Sequence, residues 1–208
     1  MENKIASSRA ALRGIDPARL PYPSKVVALL GSSAQLSPLT LQSFLARTAR
    51  GERVGVIAGD NRFDAYGLAR LARAHRFDPA RLLARVEMSR PFTCYQLHRR
   101  VVTLERRKPR EWSALYVLGL LDSFFDEDVP YGEAARLLSE TLAHLKQIAA
   151  RGLPVLVTFA PPPAQSPRRP LAVSAVRSAD AWWYPAPAVL ASPALQQLSF
   201  ALPAAMGR

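Results

Sequence analysis

The residues best suited to chemistry begin in VVALLGSSAQLSPLTLQ, residues 26 to 42, where an apolar run reaches Gly31 and an apolar helical pattern follows shortly after. A phosphate-binding loop of the form G-x-x-x-x-G-K-[ST] needs a second glycine so that backbone N–H groups can approach the phosphates. It also needs a lysine to pair the β and γ oxygens and a hydroxyl to hold Mg²⁺. Counted from Gly31, those three positions are Leu36, Ser37 and Pro38, so the glycine, the lysine and the metal hydroxyl are all missing. Pro38 also removes an N–H donor from the place where a helix start would cradle an anion. Carboxylates are the next candidates: Asp60, Asp122 and the run Asp126, Glu127, Asp128 are the residue types of paired acid/base or metal chemistry. With no phosphate cradle or basic ligand beside them they read as solvated loop carboxylates, and no catalytic residue is assigned. His75, His98 and His144 are far apart and Cys94 is the sole cysteine, so the sequence predicts no metal cluster, no cofactor and no internal disulfide. A single cysteine fits a reducing compartment.

The basic residues carry a different signal. The 28 Lys and Arg against 16 Asp and Glu give a net charge of +12, which favours a polyanion such as nucleic acid as partner. Two groups stand out. Arg168 and Arg169 lie in the proline-rich APPPAQSPRRP, and Arg99, Arg100, Arg106, Arg107, Lys108 and Arg110 lie on a helix beginning near Thr93 and on its exit. Residues seven apart share a helical face, so Arg99 with Arg106 and Arg100 with Arg107 make a basic ridge; a solvated outer face is the competing reading. Alternation along DAWWYP buries Trp182 and Tyr184 on one side and leaves Trp183 as the ring free to stack on a base.

These groups need a scaffold, and the scaffold is legible. Apolar runs KVVALL (25 to 30), RVGVIAG (53 to 59), ARVEMSR (84 to 90), ALYVLGLL (114 to 121) and PVLVTF (154 to 159) are nearly continuous, as in strands buried on both faces of a parallel sheet. Between them, Leu97, Val101 and Leu104 form one helical stripe, and Leu138, Leu142, Leu145 and Ala149 another. Asp64 and Asp78-Pro79 read as helix starts, and Gly152 followed by Pro154 ends the long helix that begins near Glu133. The fold class is therefore α/β, three layers with a mainly parallel central sheet and helices on both faces. Residues 1 to 23 are expected to be a loosely held arm and 24 to 208 one core domain with a proline-rich loop at 160 to 170. LAVSAV, DAWWYP and LQQLSFAL read as short strands closing one edge. The start of the chain lacks the apolar core of a signal peptide and no run approaches the roughly 20 residues of a membrane span, so a soluble, cytoplasmic protein is expected.

The order of segments resembles the RecA/RadA recombinase family. Residues 56 to 101, with Phe63, RFDPARLL and SRPFTCYQ, look like its strand, acidic turn, helix, strand and Gln-containing helix. Residues 114 to 159, with Gly132, Glu133, Ala135 and Arg136, look like its second nucleotide-site strand, first DNA loop, Gly-Glu-Leu-Ala-Ala-Arg helix and next strand. RSADAWWYP resembles the strand after its second DNA loop. The resemblance implies that Gly31, Leu36, Ser37 and Pro38 mark a degenerate phosphate loop. The metal-positioning Asp falls on Gly119, with Asp122 as substitute if the strand bulges, and the catalytic Glu falls on Asp60. It further implies DNA contact through Arg168 and Arg169, although FFDEDVPYG is acidic where an active recombinase would be neutral or basic. The expected protein is a RecA-like paralogue without ATPase activity. It would act in DNA recombination or repair, binding single-stranded DNA, a RecA-type ATPase or another copy of itself. A RecA-fold protein-interaction module without DNA contact, of the division-inhibitor or translesion-accessory type, is the alternative, and an ATPase with an unorthodox loop the third.

Overall fold

The computed structural model describes residues 16–107, 111–163 and 165–184. Six strands form one sheet: β1 (Val26–Leu30), β2 (Arg53–Ala58), β3 (Val86–Ser89), β4 (Trp112–Leu118), β5 (Val155–Phe159) and β6 (Ala181–Trp183). Their spatial order is β3-β2-β4-β5-β1-β6 and every pairing is parallel. Continuous apolarity has the expected cause, since β5 is buried along its whole length and β2 along all but its first residue.

Among the described residues six α-helices cover the two faces. On one lie α1 (Ser33–Ala49), α2 (Ala65–Ala74) and α3 (Pro79–Leu83), packed through Leu36, Phe44, Leu45, Leu68 and Leu82 onto Val27, Leu29, Val54, Val56 and Tyr116. On the other lie α4 (Cys94–Arg107), α5 (Tyr131–Ala150) and α6 (Arg169–Ser178), packed through Leu97, Val101, Leu138, Leu142 and Leu171 onto Val26, Ala28, Leu115 and Val117. Successive residues of one strand serve opposite layers, as the two-residue period requires. The helix starts at Asp64 and Asp78 are as expected, each carboxylate accepting from a first-turn N–H (Gly67, 2.6 Å; Ala80, 2.9 Å). Gly152 follows α5 with a φ of +98°, a conformation that favours glycine.

Three expectations are corrected. LAVSAV is not a strand: residues 169–178 form α6, whose Leu171, Ala172 and Ala175 face the core at helical spacing, with Pro170 in the first turn where its missing N–H costs nothing. Trp183, not Trp182, is the more deeply buried ring of its strand. It packs edge-on against Tyr22 at 5.7 Å, while Tyr184 is 45% exposed. Residues 16 to 23 are not loose. Leu20 is fully buried, and its carbonyl accepts from Ser43 Oγ (2.7 Å) and Arg47 Nε (3.1 Å), latching this lead-in onto α1. LQQLSFAL lies outside the described residues.

Candidate functional site

In an open parallel sheet the loops beyond the carboxyl ends of the strands form the natural crevice for a ligand. Here that edge brings together Gly31 and Ser33 after β1, Asp60 after β2, Gly119 and Asp122 after β4, and Thr158 near the end of β5.

The segment from Gly31 to Pro38 is not a loop. α1 starts at Ser33, immediately after a two-residue turn, so Leu36, Ser37 and Pro38 are helical and Pro38 is internal to the helix rather than at its start. A capping box sets this boundary: Gln35 N–H donates to Ser32 Oγ (3.3 Å) and Ser32 N–H donates to Gln35 Oε1 (2.9 Å). Gly31 N–H donates to the Phe159 carbonyl (3.0 Å) and Leu36 N–H to the Ser32 carbonyl (3.0 Å), so these donors too are engaged inside the chain, and Leu36 is buried. The pattern Ser-x-x-Gln at residues 32 to 35 is a sequence signal for this start, and the phosphate-loop spacing obscured it.

Asp60 is similarly engaged. One carboxylate oxygen accepts from Ser33 Oγ (3.0 Å) and the other from the Arg62 N–H (3.0 Å). Gly119 lies against it with a φ of +61°, and a Cβ at this position would come within 2.3 Å of Asp60 Cβ and 2.7 Å of its backbone nitrogen. An aspartate therefore has no room at 119 unless Asp60 moves. Asp122 sits in the 3-10 turn that follows (Asp122–Phe124). Its carboxyl is raised above the ordinary carboxylate range by partial burial and by the charge of Asp60, with Arg62 opposing. The structure thus brings Asp60 and Asp122 within electrostatic reach of each other. A crevice beside Asp60, lined also by Ser33, Ser37, Asp64 and Thr158, holds about 30 Å³, the room of a water molecule. A larger groove of about 510 Å³ runs outside it between α1 and α2, along Pro38, Leu41, Gln42, Arg70 and Leu71.

The candidate DNA residues separate. Arg168 is 8% exposed, and its guanidinium donates to the carbonyls of Phe124 (2.9 Å) and Val129 (2.5 Å), so it ties the turn before α5 to the start of α6. Arg169 beside it is exposed. On α4, Arg99 and Arg106 are exposed and share a face, whereas Arg100 is half-buried and pairs with Glu87 (3.8 Å). Arg107 ends that helix, and Lys108 and Arg110 lie outside the described residues. His98 and His144 meet between α4 and α5 with ring centroids 5.9 Å apart. His98 is bonded to Thr141 (3.1 Å), and burial lowers it below the usual imidazole range, with Glu140 opposing and His144 adding to the shift. His144 pairs with Glu105 (2.7 Å). Among the described residues no group of three metal-ligating side chains converges. Burial pushes the Cys94 thiol up.

What sequence reasoning missed is the aromatic fringe of this edge. Tyr66 (91% exposed), Phe92 (72%), Tyr95 and Tyr131 all stand on or just before the first turn of a helix that follows the carboxyl end of a strand.

Neither the protein-family models nor the curated proteins contain a match to this chain. Among solved structures, the crystal structure of the RadB recombinase is similar with a TM-score of 0.60 and 20% sequence identity, over 73% of this chain and 71% of that one. The sheet and its helices form a RecA-like α/β fold. No helix among the described residues is long and apolar enough to cross a membrane.

Proposed function

We propose that this protein is a RecA-like accessory factor in DNA recombination or repair that does not hydrolyse ATP and works by binding DNA, a RecA-type recombinase, or both. The observation that carries this reading is the helical start at Ser33: the segment that would wrap phosphates is a capped helix start at which the N–H groups of Gly31, Ser32, Gln35 and Leu36 are already bonded. The engaged Asp60 and the glycine at 119 support it further, because the carboxylates have neither a cradle beside them nor room for a metal-positioning aspartate on β4. A degenerate nucleotide site on an intact RecA-like sheet leaves binding as the function. Isothermal titration with Mg-ATP and a phosphate-release assay on the purified chain test it. No heat of binding and no turnover are expected. Micromolar binding abolished by changes in residues 31 to 38 would return the protein to the ATPases as one with an unorthodox loop.

Of the candidate DNA residues, Arg169, Arg99 and Arg106 are exposed, and in this proposal they meet phosphates of a single strand. A second reading has its own support. Arg168 spends its guanidinium on backbone carbonyls, which favours a RecA-fold protein-interaction module or inhibitor without DNA contact. Fluorescence anisotropy of a labelled oligonucleotide across a salt series separates the two. Salt-dependent binding supports the first and its absence at low salt the second.

A further inference from the structure

The groove between α1 and α2 is walled by two stripes of the same spacing. Ala34, Ser37, Pro38 and Leu41 line it from α1, and Gly67, Arg70, Leu71 and Ala74 line it from α2, in each case residues i, i+3, i+4 and i+7. That is the stripe one helix presents to another, and here two adjacent helices present it to a groove of about 510 Å³. Its floor is apolar at Pro38, Leu41 and Leu71, while the small residues Ala34, Gly67 and Ala74 let a further backbone come close. Pro38 is exposed and internal to α1, where proline removes a helical hydrogen bond, and it offers the groove a rigid apolar ring.

Charge selects the kind of helix that fits. Neither α1 nor α2 contains a carboxylate. Tyr66, Arg70 and Arg73, at i, i+4 and i+7, run along the solvent flank of the α2 stripe, and all three are exposed. Arg62 before α2 and Arg76 after it are exposed as well, and among the described residues none of these four arginines is in an ion pair. The carboxylates around them are engaged. Asp64, the one acidic residue lining the groove, caps α2 through the Gly67 N–H (2.6 Å), and Asp60 accepts from Ser33 Oγ and the Arg62 N–H. Asp78 pairs with Arg81 (3.5 Å), and Glu52 with Arg47 (2.8 Å) and Arg50 (2.7 Å). Carboxylates of a partner therefore find unpaired guanidinium groups along this rim. A nucleic-acid strand would use the arginines and leave the apolar floor uncovered, whereas a helix with an apolar face uses both.

We infer that the groove between α1 and α2 is a docking site for an amphipathic helix of a protein partner that carries acidic residues beside its apolar face. The apolar face lies over Pro38 between Leu41 and Leu71, and the carboxylates pair with Arg70 and Arg73. This site rests on the protein-binding arm of the proposed function, and the two fail separately: a chain without ATP turnover that binds no such helix keeps that function and loses this site.

The test is fluorescence anisotropy of a labelled helical peptide of about five turns, with leucines on one face and glutamates beside them, titrated with the full chain. A scrambled peptide of the same composition reports attraction by the net charge of +12 alone. A peptide with lysine in place of glutamate and a labelled oligonucleotide are run in parallel. Saturable binding of the glutamate helix is expected, about tenfold tighter than that of the scrambled peptide. Ala34→Gln with Ala74→Gln puts neutral side chains into the groove at two exposed positions and should weaken the glutamate helix about tenfold. Arg70→Glu with Arg73→Glu should reverse the preference to the lysine helix. Circular dichroism confirms that the variants fold. Four outcomes would overturn the inference: no binding of the glutamate helix, equal affinity for the scrambled peptide, wild-type affinity in the Ala34 and Ala74 variant, or an unchanged preference after charge reversal. Loss of oligonucleotide binding in the Ala34 and Ala74 variant would assign the groove to nucleic acid instead.

Discussion

Two helix starts at the same edge of one sheet have opposite character. At α1 the turn is short and the Ser32–Gln35 box answers its own donors. Leu36 is buried beneath, and Gly119 lies packed against Asp60. At α5 no side chain caps the helix, the preceding turn is acidic with no ion pair among the described residues, and Tyr131 stands half-exposed. The first arrangement is stabilising and inward, the second spends nothing on the fold. A ligand must find unsatisfied groups and accessible surface, and the two helix starts differ in both.

The contrast is most severely tested at position 119. Gly119→Asp is expected to destabilise by about 3–5 kcal/mol, because the new side chain collides with the Asp60 backbone and holds a left-handed φ. Urea unfolding measures it. A stable variant that gained Mg-ATP binding would show that the closed region is only one substitution from a working site. Next, Leu36→Ala should cost about 2–4 kcal/mol as a buried leucine lost from the core, whereas Phe92→Ala should stay within about 0.5 kcal/mol. Equal losses in thermal unfolding would erase the distinction between the two helix starts. Arg168→Ala leaves two buried carbonyls without a donor and is expected to cost about 2 kcal/mol. If DNA binds, Arg168→Ala leaves the slope of log affinity against log salt unchanged, while Arg169→Ala flattens it by about 0.7, one phosphate's worth on a single strand. A flattened slope in the Arg168 variant would place that residue among the ligands after all.

The smallest effect concerns Asp122. Its folded pKa is raised, so its proton is held more tightly in the native state, and the stability this contributes is present below the unfolded pKa and lost as pH rises through the folded one. At neutral pH the native state carries the penalty. Asp122→Asn should then be slightly stabilising at pH 7, by a few tenths of a kcal/mol given the residue's exposure, and the gain should fade as the pH falls to 4. A destabilised variant would mean that the carboxylate is needed beside Asp60 and Arg62.

The parallel sheet was readable because strands buried on both faces must be apolar throughout, and Asp64 and Asp78 announce their helices by side-chain chemistry alone. Residues 169 to 178 were misjudged because the prolines around them dominate the local signal. Even so, Leu171, Ala172 and Ala175 have helical spacing and Pro170 suits a first turn. The phase of Trp182 and Trp183 could not be read, since it depends on Tyr22, a residue from the far end of the chain. Arg168 is likewise a long-range case: its partners Phe124 and Val129 belong to a turn about forty residues earlier. The crevice itself was half legible. Missing phosphate-loop residues were plain in the sequence, but the collision between a side chain at 119 and Asp60 exists only in three dimensions.

The position of β1 has a consequence for how the protein is made. Among the described residues its neighbours are β5 and β6, so β1 lacks these partners until residues 155 to 159 have emerged, whereas β2, β3 and β4 can pair among themselves as they appear. At bacterial-type elongation speeds of ~10–20 residues per second that is a wait of roughly 10 s. During it β1 and the buried face of α1 are apolar surface in search of cover. Slow translation, or interruption before β5, should make the nascent chain a client of chaperones, and a circular permutant that begins at Arg53 and joins β1 after β6 would relieve that dependence.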